Sequence, residues 1–261
     1  MKILQLSIKL LIANSIFLAI ICLSNFRVKT EEINTFTNQS TSEQVDNSSQ
    51  DNKLDFSGDG RPGRRSGGGS RSPCPASQTP LTALVPQNNM GTTVSDRPKL
   101  WFYVPYSPQQ ISSGEFVLQD EQENDVYRQT FNLPKTPGLV SLKIPQTSPP
   151  LAINQSYRWY FKLYCGDSSS STANFVDGWI KRITLTPALK ARLRSRTTPI
   201  YQEYGKNLIW LDSLDNLAQL RLKNDNSQLE RDWTKLLTAT GVNLSELIHK
   251  PLVVNPISFN R

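Results

Sequence analysis

The sequence predicts a β-plus-α protein, a β-sandwich followed by a small C-terminal helical hairpin or bundle. Two changes of period and one change of composition carry that prediction. Residues 30–72 hold almost no large apolar side chains and many Ser, Thr, Asn, Gln, Asp and Gly. From Leu81 to Leu185, short apolar runs are broken by Pro- and Gly-rich turns, the mark of many short strands. After Thr184 the apolar spacing lengthens toward 3.6 residues, the helical period.

Taken in order, the first element is a targeting signal. Lys2 and Lys9 precede an apolar run from Leu10 to Leu23, the pattern of a secretory signal peptide. That run is short for a membrane span, which takes about 20 apolar residues. No small-residue cleavage motif follows it, so residues 1–25 are read as a signal peptide or an uncleaved N-terminal anchor. Residues 26–72 are too polar to offset their ordering entropy and are expected to form a disordered linker. Arg61, Arg64, Arg65 and Arg71 make its end basic.

The sandwich is expected over residues 73–185. Its strands are placed at Leu81–Val85, Leu100–Val104, Glu115–Leu118, Val126–Phe131, Val140–Ile144, Tyr157–Cys165 and Ile180–Leu185, with polar turns such as Asp120–Asp125 between them. In "YRWYFKLYC", Tyr157, Trp159, Phe161, Leu163 and Cys165 share one face of a strand, and Arg158, Tyr160, Lys162 and Tyr164 share the other. The first set is the more apolar, so Cys165 points into the core. Export leaves Cys74 and Cys165 as an even pair in an oxidising compartment, and a Cys74–Cys165 disulfide is expected. A core Trp beside that cysteine gives the sandwich an immunoglobulin-like cast.

Helices follow over residues 186–251. Thr186 and Pro187 form an N-cap and first helical position, and Thr198 and Pro199 repeat the device. Leu208, Leu211, Leu214, Ala218 and Leu222 make one helical stripe. Leu229, Trp233, Leu236 and Leu237 make another, with Gly241 as its C-terminal cap. A short turn near Asn243–His249 ends before Pro251, and residues 252–261 form a tail. Part of the region is spaced like one tetratricopeptide-type helical pair, but one copy does not make an array.

Several stretches together carry a family resemblance: "SPCPASQTPLTALVPQNNM", "KLWFYVPY", "GEFVLQDEQENDVYRQTF", "YRWYFKLYC" and "FVDGWIKRI". From about Gly60 to Pro251 the chain resembles the domain-of-unknown-function 928 family of cyanobacterial proteins. The resemblance implies an exported protein with a sandwich followed by helices. It implies no activity.

The residues themselves point away from catalysis. His249 is the only histidine and sits near the C-terminus, so a histidine-based triad has one distant candidate. No metal-ligand spacing and no phosphate loop is present, and no cofactor is expected. Asp177, beside Gly178 and Trp179, is the one carboxylate that stands out, and a hydrolase would need a second. A net charge of +7 and a pI near 9.3 would suit nucleic acid, but export makes an envelope protein, an anionic polymer or a glycan the better partner. Arg158, Tyr160, Lys162 and Tyr164 on the outward face, with Arg192 and Arg196 farther on, form the candidate partner surface. The expected protein is therefore a periplasmic or extracellular, non-enzymatic interaction module. A glycan- or polymer-binding protein of the envelope is the alternative, and a carboxylate-dependent hydrolase the third reading.

Overall fold

The computed structural model describes residues 53–67, 73–166 and 172–260. The expected signal or anchor, with Cys22, lies outside them. The described chain is β plus α. Its strands are β1 (Thr82–Ala83), β2 (Met90–Thr93), β3 (Lys99–Val104), β4 (Ile111–Gln119), β5 (Asp125–Asn132), β6 (Gly138–Lys143), β7 (Ser156–Cys165), β8 (Ala173–Arg182) and β9 (Ser258–Phe259). The helices are α1 (Pro187–Ser195), α2 (Ile200–Lys206), α3 (Trp210–Lys223) and α4 (Ser227–Leu237). One sheet has the order β1-β3-β6 and the other β2-β8-β7-β4-β5-β9. All pairings are antiparallel except β2 with β8.

Alternation decides what each strand buries. In β7, Tyr157, Trp159, Phe161, Leu163 and Cys165 are buried, as the two-residue period requires. Phe102 of β3 stacks on Phe161 with ring centroids 4.1 Å apart and meets Trp159 edge-on at 5.5 Å. The two sheets therefore share one apolar core. Cys74 and Cys165 are joined by a disulfide with 4.9 Å between Cα atoms. Its sequence separation of 91 residues corresponds to about 4 kcal/mol of stabilisation in the chain-entropy account.

Strand β8 starts at Ala173 rather than at the expected Ile180, which puts a glycine, Gly178, mid-strand. The reason is steric: a Cβ at Gly178 would stand 2.6 Å from the Trp159 indole. Glycine there lets the core tryptophan lie flat against the neighbouring strand. Strand β2 was not foreseen, since "MGTT" lacks an apolar alternation; its place comes from parallel pairing with Trp179–Arg182. The expected tail also adds a strand, with Ser258 and Phe259 opposite Asn132 and Phe131.

The helices begin where capping chemistry allows. The Thr186 hydroxyl accepts from the Leu189 amide at 3.2 Å, with Pro187 in the first turn. The repeat of that device shifts by one residue: Pro199, not Thr198, is the N-cap of α2 and makes no side-chain cap. Helix α4 ends at Thr238 rather than at Gly241. Gly241 has φ +75°, and a Cβ on it would lie 2.4 Å from the Ser57 amide. It is needed for close approach of another segment.

That segment is residues 53–67, where the sequence predicts linker. Its few apolar residues suffice because each finds a prepared site. Phe56 is buried and packs edge-on against Trp210 at 5.0 Å. The Phe56 amide donates to Thr240 at 2.8 Å, and the Asn88 side-chain amide donates to the Phe56 and Gly58 carbonyls. Farther on, Ser66 bridges to Thr82 of β1. The linker boundary is thus corrected: residues 53–67 belong to the fold.

Helix α3 docks through two carboxylates one turn apart. Asp215 accepts from the Trp101 indole at 3.1 Å and from Lys99 at 3.3 Å, both on β3. Asp212 accepts from the Thr93 hydroxyl at 2.7 Å and the Val94 amide at 3.1 Å. Burial pushes the Asp212 carboxyl above the usual carboxylate range, and these bonds offset that only in part.

Two expectations follow from this packing. Phe56→Ala should lower stability by about 3 kcal/mol, read as a shift of the urea midpoint at unchanged slope; a true linker residue would leave the midpoint alone. For Asp212, a raised folded pKa means its favourable contribution is full at acid pH and is lost as pH rises through that value. Asp212→Asn should therefore be the more stable protein at neutral pH, with the gap closing on acidification, as followed by thermal melts across pH.

Candidate functional site

The outward face of β7 and β8 is set by register. Arg158 lies opposite Trp179, Tyr160 opposite Asp177, and Lys162 opposite Phe175. On the other side of β7, Gln119, Val117 and Glu115 of β4 occupy the matching positions. Three of the six predicted residues, Arg158, Tyr160 and Lys162, are therefore brought together as a cation–aromatic row. Tyr164 continues the same face but is half-buried and joins none of the ring contacts among the described residues. Arg192 and Arg196 belong to a different element, at the end of α1.

The row is densely paired. The Arg158 guanidinium donates to Asp177 Oδ2 at 3.1 and 2.8 Å and lies 4.9 Å from the Tyr160 ring centroid. Burial presses the Arg158 pKa down, and the bond and charge of Asp177 more than restore it. Lys162 meets Glu115 at 2.8 Å, and Arg128 meets the same carboxylate at 2.6 Å and Asp125 at 2.7 Å. Val117, flanked in register by Arg128 and Tyr160, is only 1% exposed. Long side chains thus cover the middle of this face with their apolar stems.

The basic segment read as linker supplies what the sequence reading missed. Arg61 stacks over Trp179 at 4.5 Å and pairs with Glu121 at 2.5 Å. Arg64 stacks over Phe175 at 4.6 Å. The Trp179 indole donates to the Pro62 carbonyl at 3.0 Å. The signal was visible as alternating Arg and Gly, but the rings that receive them lie over 100 residues away in sequence.

Asp177 is a structural anchor. It is 3% exposed, and its two oxygens are taken by Arg158 and by the Arg64 amide at 3.0 Å. Three hydrogen bonds and near-complete burial hold this carboxylate in a fixed, charge-paired position, as an anchor requires. His249, the lone histidine, is exposed beyond the short 3-10 turn at Ser245–Leu247. The aromatic residues of β3 and β7 divide between different partners. Trp101 meets α3, Phe102 faces the second sheet, and Tyr160 is covered by Arg158, Lys162 and Phe175 rather than by helices.

The family model described as Domain of Unknown Function (DUF928) matches residues 66–252. The chain belongs to that family. No curated protein matches it. The DUF928 match begins at Ser66, so the strap formed by residues 53–65 lies outside the matched span.

Helix α1 has the opposite electrostatic character from the sheet face. From Gly178 to Gln202 the chain carries six cations and no acid. Arg192 pairs with Glu203 of α2 at 2.9 Å and also donates to Asn207 at 3.2 Å. Lys190, Arg194 and Arg196 are exposed, and their side chains make no hydrogen bond or ion pair among the described residues. Leu189 is the only buried residue of α1.

Removing the Asp177 carboxylate should expose its role. Asp177→Ala should cost about 2–3 kcal/mol, because Arg158 and the Arg64 amide lose a shared buried acceptor. Chemical denaturation of the purified variant checks this. An unchanged midpoint would return Asp177 to the list of candidate reactive groups.

Proposed function

We propose that this DUF928 chain works outside the cytoplasm, in the periplasm or extracellular space, as a non-enzymatic binding module for an anionic polymer. The basic surface of α1 makes the contact. The observation that carries this reading is the acid-free run around α1, with Lys190, Arg194 and Arg196 exposed and unneutralised. Such a field steers and retains a polyanion through many weak contacts. The sheet face with Arg158, Tyr160 and Lys162 serves a different end, since Glu115, Asp125, Glu121 and Asp177 balance its cations and its rings are already stacked.

The disulfide supports an oxidising compartment, and the apolar N-terminal run supports export. Among the described residues, no helix is long and apolar enough to cross a membrane. The rings stacked between the two sheets support reading them as a sandwich, with parallel β2–β8 pairing as its departure from an immunoglobulin-like order.

Retention on a dextran sulfate column tests the assignment. The triple variant Lys190→Glu, Arg194→Glu, Arg196→Glu should bind at least about tenfold more weakly, at roughly 0.5 kcal/mol or more per reversed charge. Its affinity should also fall less steeply with salt. The melting temperature should not move, because none of the three is buried or paired. Equal retention of parent and variant would refute a role for α1.

A further inference from the structure

We infer that a cleft between α3 and the three-stranded sheet binds a single saccharide unit carrying a carboxylate, a uronate. The inference rests on the reading above of the chain as an anionic-polymer binder, and it names the polymer as an acidic polysaccharide. The cleft encloses about 240 Å³. Ser95 and Arg97 reach it from the β2–β3 connection, Lys99 from β3 and Lys143 from β6. Asp215 and Asn216 line the opposite wall on α3.

Which of these groups are free decides what fits. Arg97 is committed to the fold: its guanidinium donates to the Pro145 carbonyl at 3.3 Å, the Ser148 carbonyl at 3.1 Å and Asp96 at 3.4 Å. Asp212, at the edge of the cleft, is committed to Thr93 and Val94. Asp215 takes Trp101, Lys99 and Gln219 all on Oδ1, which leaves Oδ2 for a ligand. Asn216 donates its Nδ2 to the Asp212 carbonyl at 2.8 Å, so its Oδ1 is an open acceptor. Ser95 Oγ accepts from the Arg97 amide at 3.2 Å and keeps its own proton to donate. Lys99 has two ammonium protons beyond the one given to Asp215. Lys143 is exposed, and its ammonium makes no hydrogen bond or ion pair among the described residues.

The cleft is therefore bipolar. Acceptors stand on the α3 wall and ammonium donors on the sheet wall. A ligand must bring hydroxyl donors to Asp215 and Asn216 and an anionic group to Lys99 and Lys143. A sugar ring with a carboxylate meets both demands, and the volume holds one ring. A bare sulfate would face the Asp215 carboxylate with no donor to offer it. A neutral sugar would leave the two ammonium groups unmatched.

The test is an NMR titration of the full chain with galacturonate, with galactose and glycine as comparators. Galacturonate should bind saturably at millimolar concentrations, and galactose at least about tenfold more weakly, the worth of a charge-assisted hydrogen bond. Lys143→Gln, at an exposed site, should bring galacturonate down to the galactose level and leave galactose unchanged. Asn216→Ala should weaken both sugars. The α1 triple variant should bind galacturonate as the parent does. Equal binding of the two sugars, no saturable binding, a preference for glycine, or a silent Lys143→Gln would each overturn the inference while leaving the polymer reading intact. Loss of dextran sulfate discrimination in the α1 variant bears on that reading alone.

Discussion

The structure turns on a reciprocal clamp between Asp177 and Arg64. The Asp177 amide donates to the Arg64 carbonyl at 2.9 Å, while the Arg64 amide donates to the Asp177 carboxylate at 3.0 Å. One residue of β8 thus satisfies both backbone groups of one residue in the N-terminal strap. From there the strap crosses to the other sheet: the Ala83 amide donates to the Arg65 carbonyl at 2.8 Å, and the Gly67 amide to the Leu81 carbonyl at 2.6 Å. Residues 64–67 bond to β8 on one sheet and to β1 on the other. A sheet edge left open is a row of unmet donors and acceptors, and here a short strap meets two such edges at once.

The same strap reaches the helical region. The Arg65 side chain donates to the carbonyls of Val242 at 2.5 Å and Asn243 at 3.1 Å. Burial pushes its pKa down, with Glu246 acting weakly the other way. Arginine tolerates this because its guanidinium stays charged far above any ordinary pH and offers several donors in a fixed plane. Phe56 adds the apolar half of the joint at Trp210, whose own indole donates to the Leu84 carbonyl at 2.8 Å. Sheet, sheet and helix therefore meet around residues that composition alone assigns to a solvated linker.

What was legible in the sequence was whatever repeats locally. The alternation in β7 placed five side chains in the core correctly, and the pairing of Cys165 with Cys74 followed from compartment and parity. The helices were legible from Thr186–Pro187 and from the leucine stripes. What was not legible depended on a distant partner. Asp177 reads as a lone carboxylate until Arg158 is seen beside it, and Gly178 has no evident purpose until Trp159 is. Arg61 and Arg64 read as solvated charge until Trp179 and Phe175 are seen beneath them. Of the six residues expected to form one surface, Arg158, Tyr160 and Lys162 do share a face, and Arg192 and Arg196 do not join them, because a two-residue period says nothing about where a later helix lies.

Pairing, not count, decides what the net charge of +7 can do. On the β7–β8 face Arg61, Arg128, Arg158 and Lys162 each meet a carboxylate and Arg64 lies over a ring, so the middle of the face is close to neutral at short range. Its work is internal: the cations cover aromatic rings whose edges would otherwise be wet. On α1 no acid lies between Asp177 and Glu203, and only Arg192 has a partner. A cation already facing a carboxylate in the open is partly neutralised, so it attracts a distant anion less. An unpaired, solvated cation has no such neighbour. Lys190, Arg194 and Arg196 are therefore open to an outside anion in a way the paired cations of that face are not. That division leaves the sheet free to hold the fold together and the helix free to meet something else.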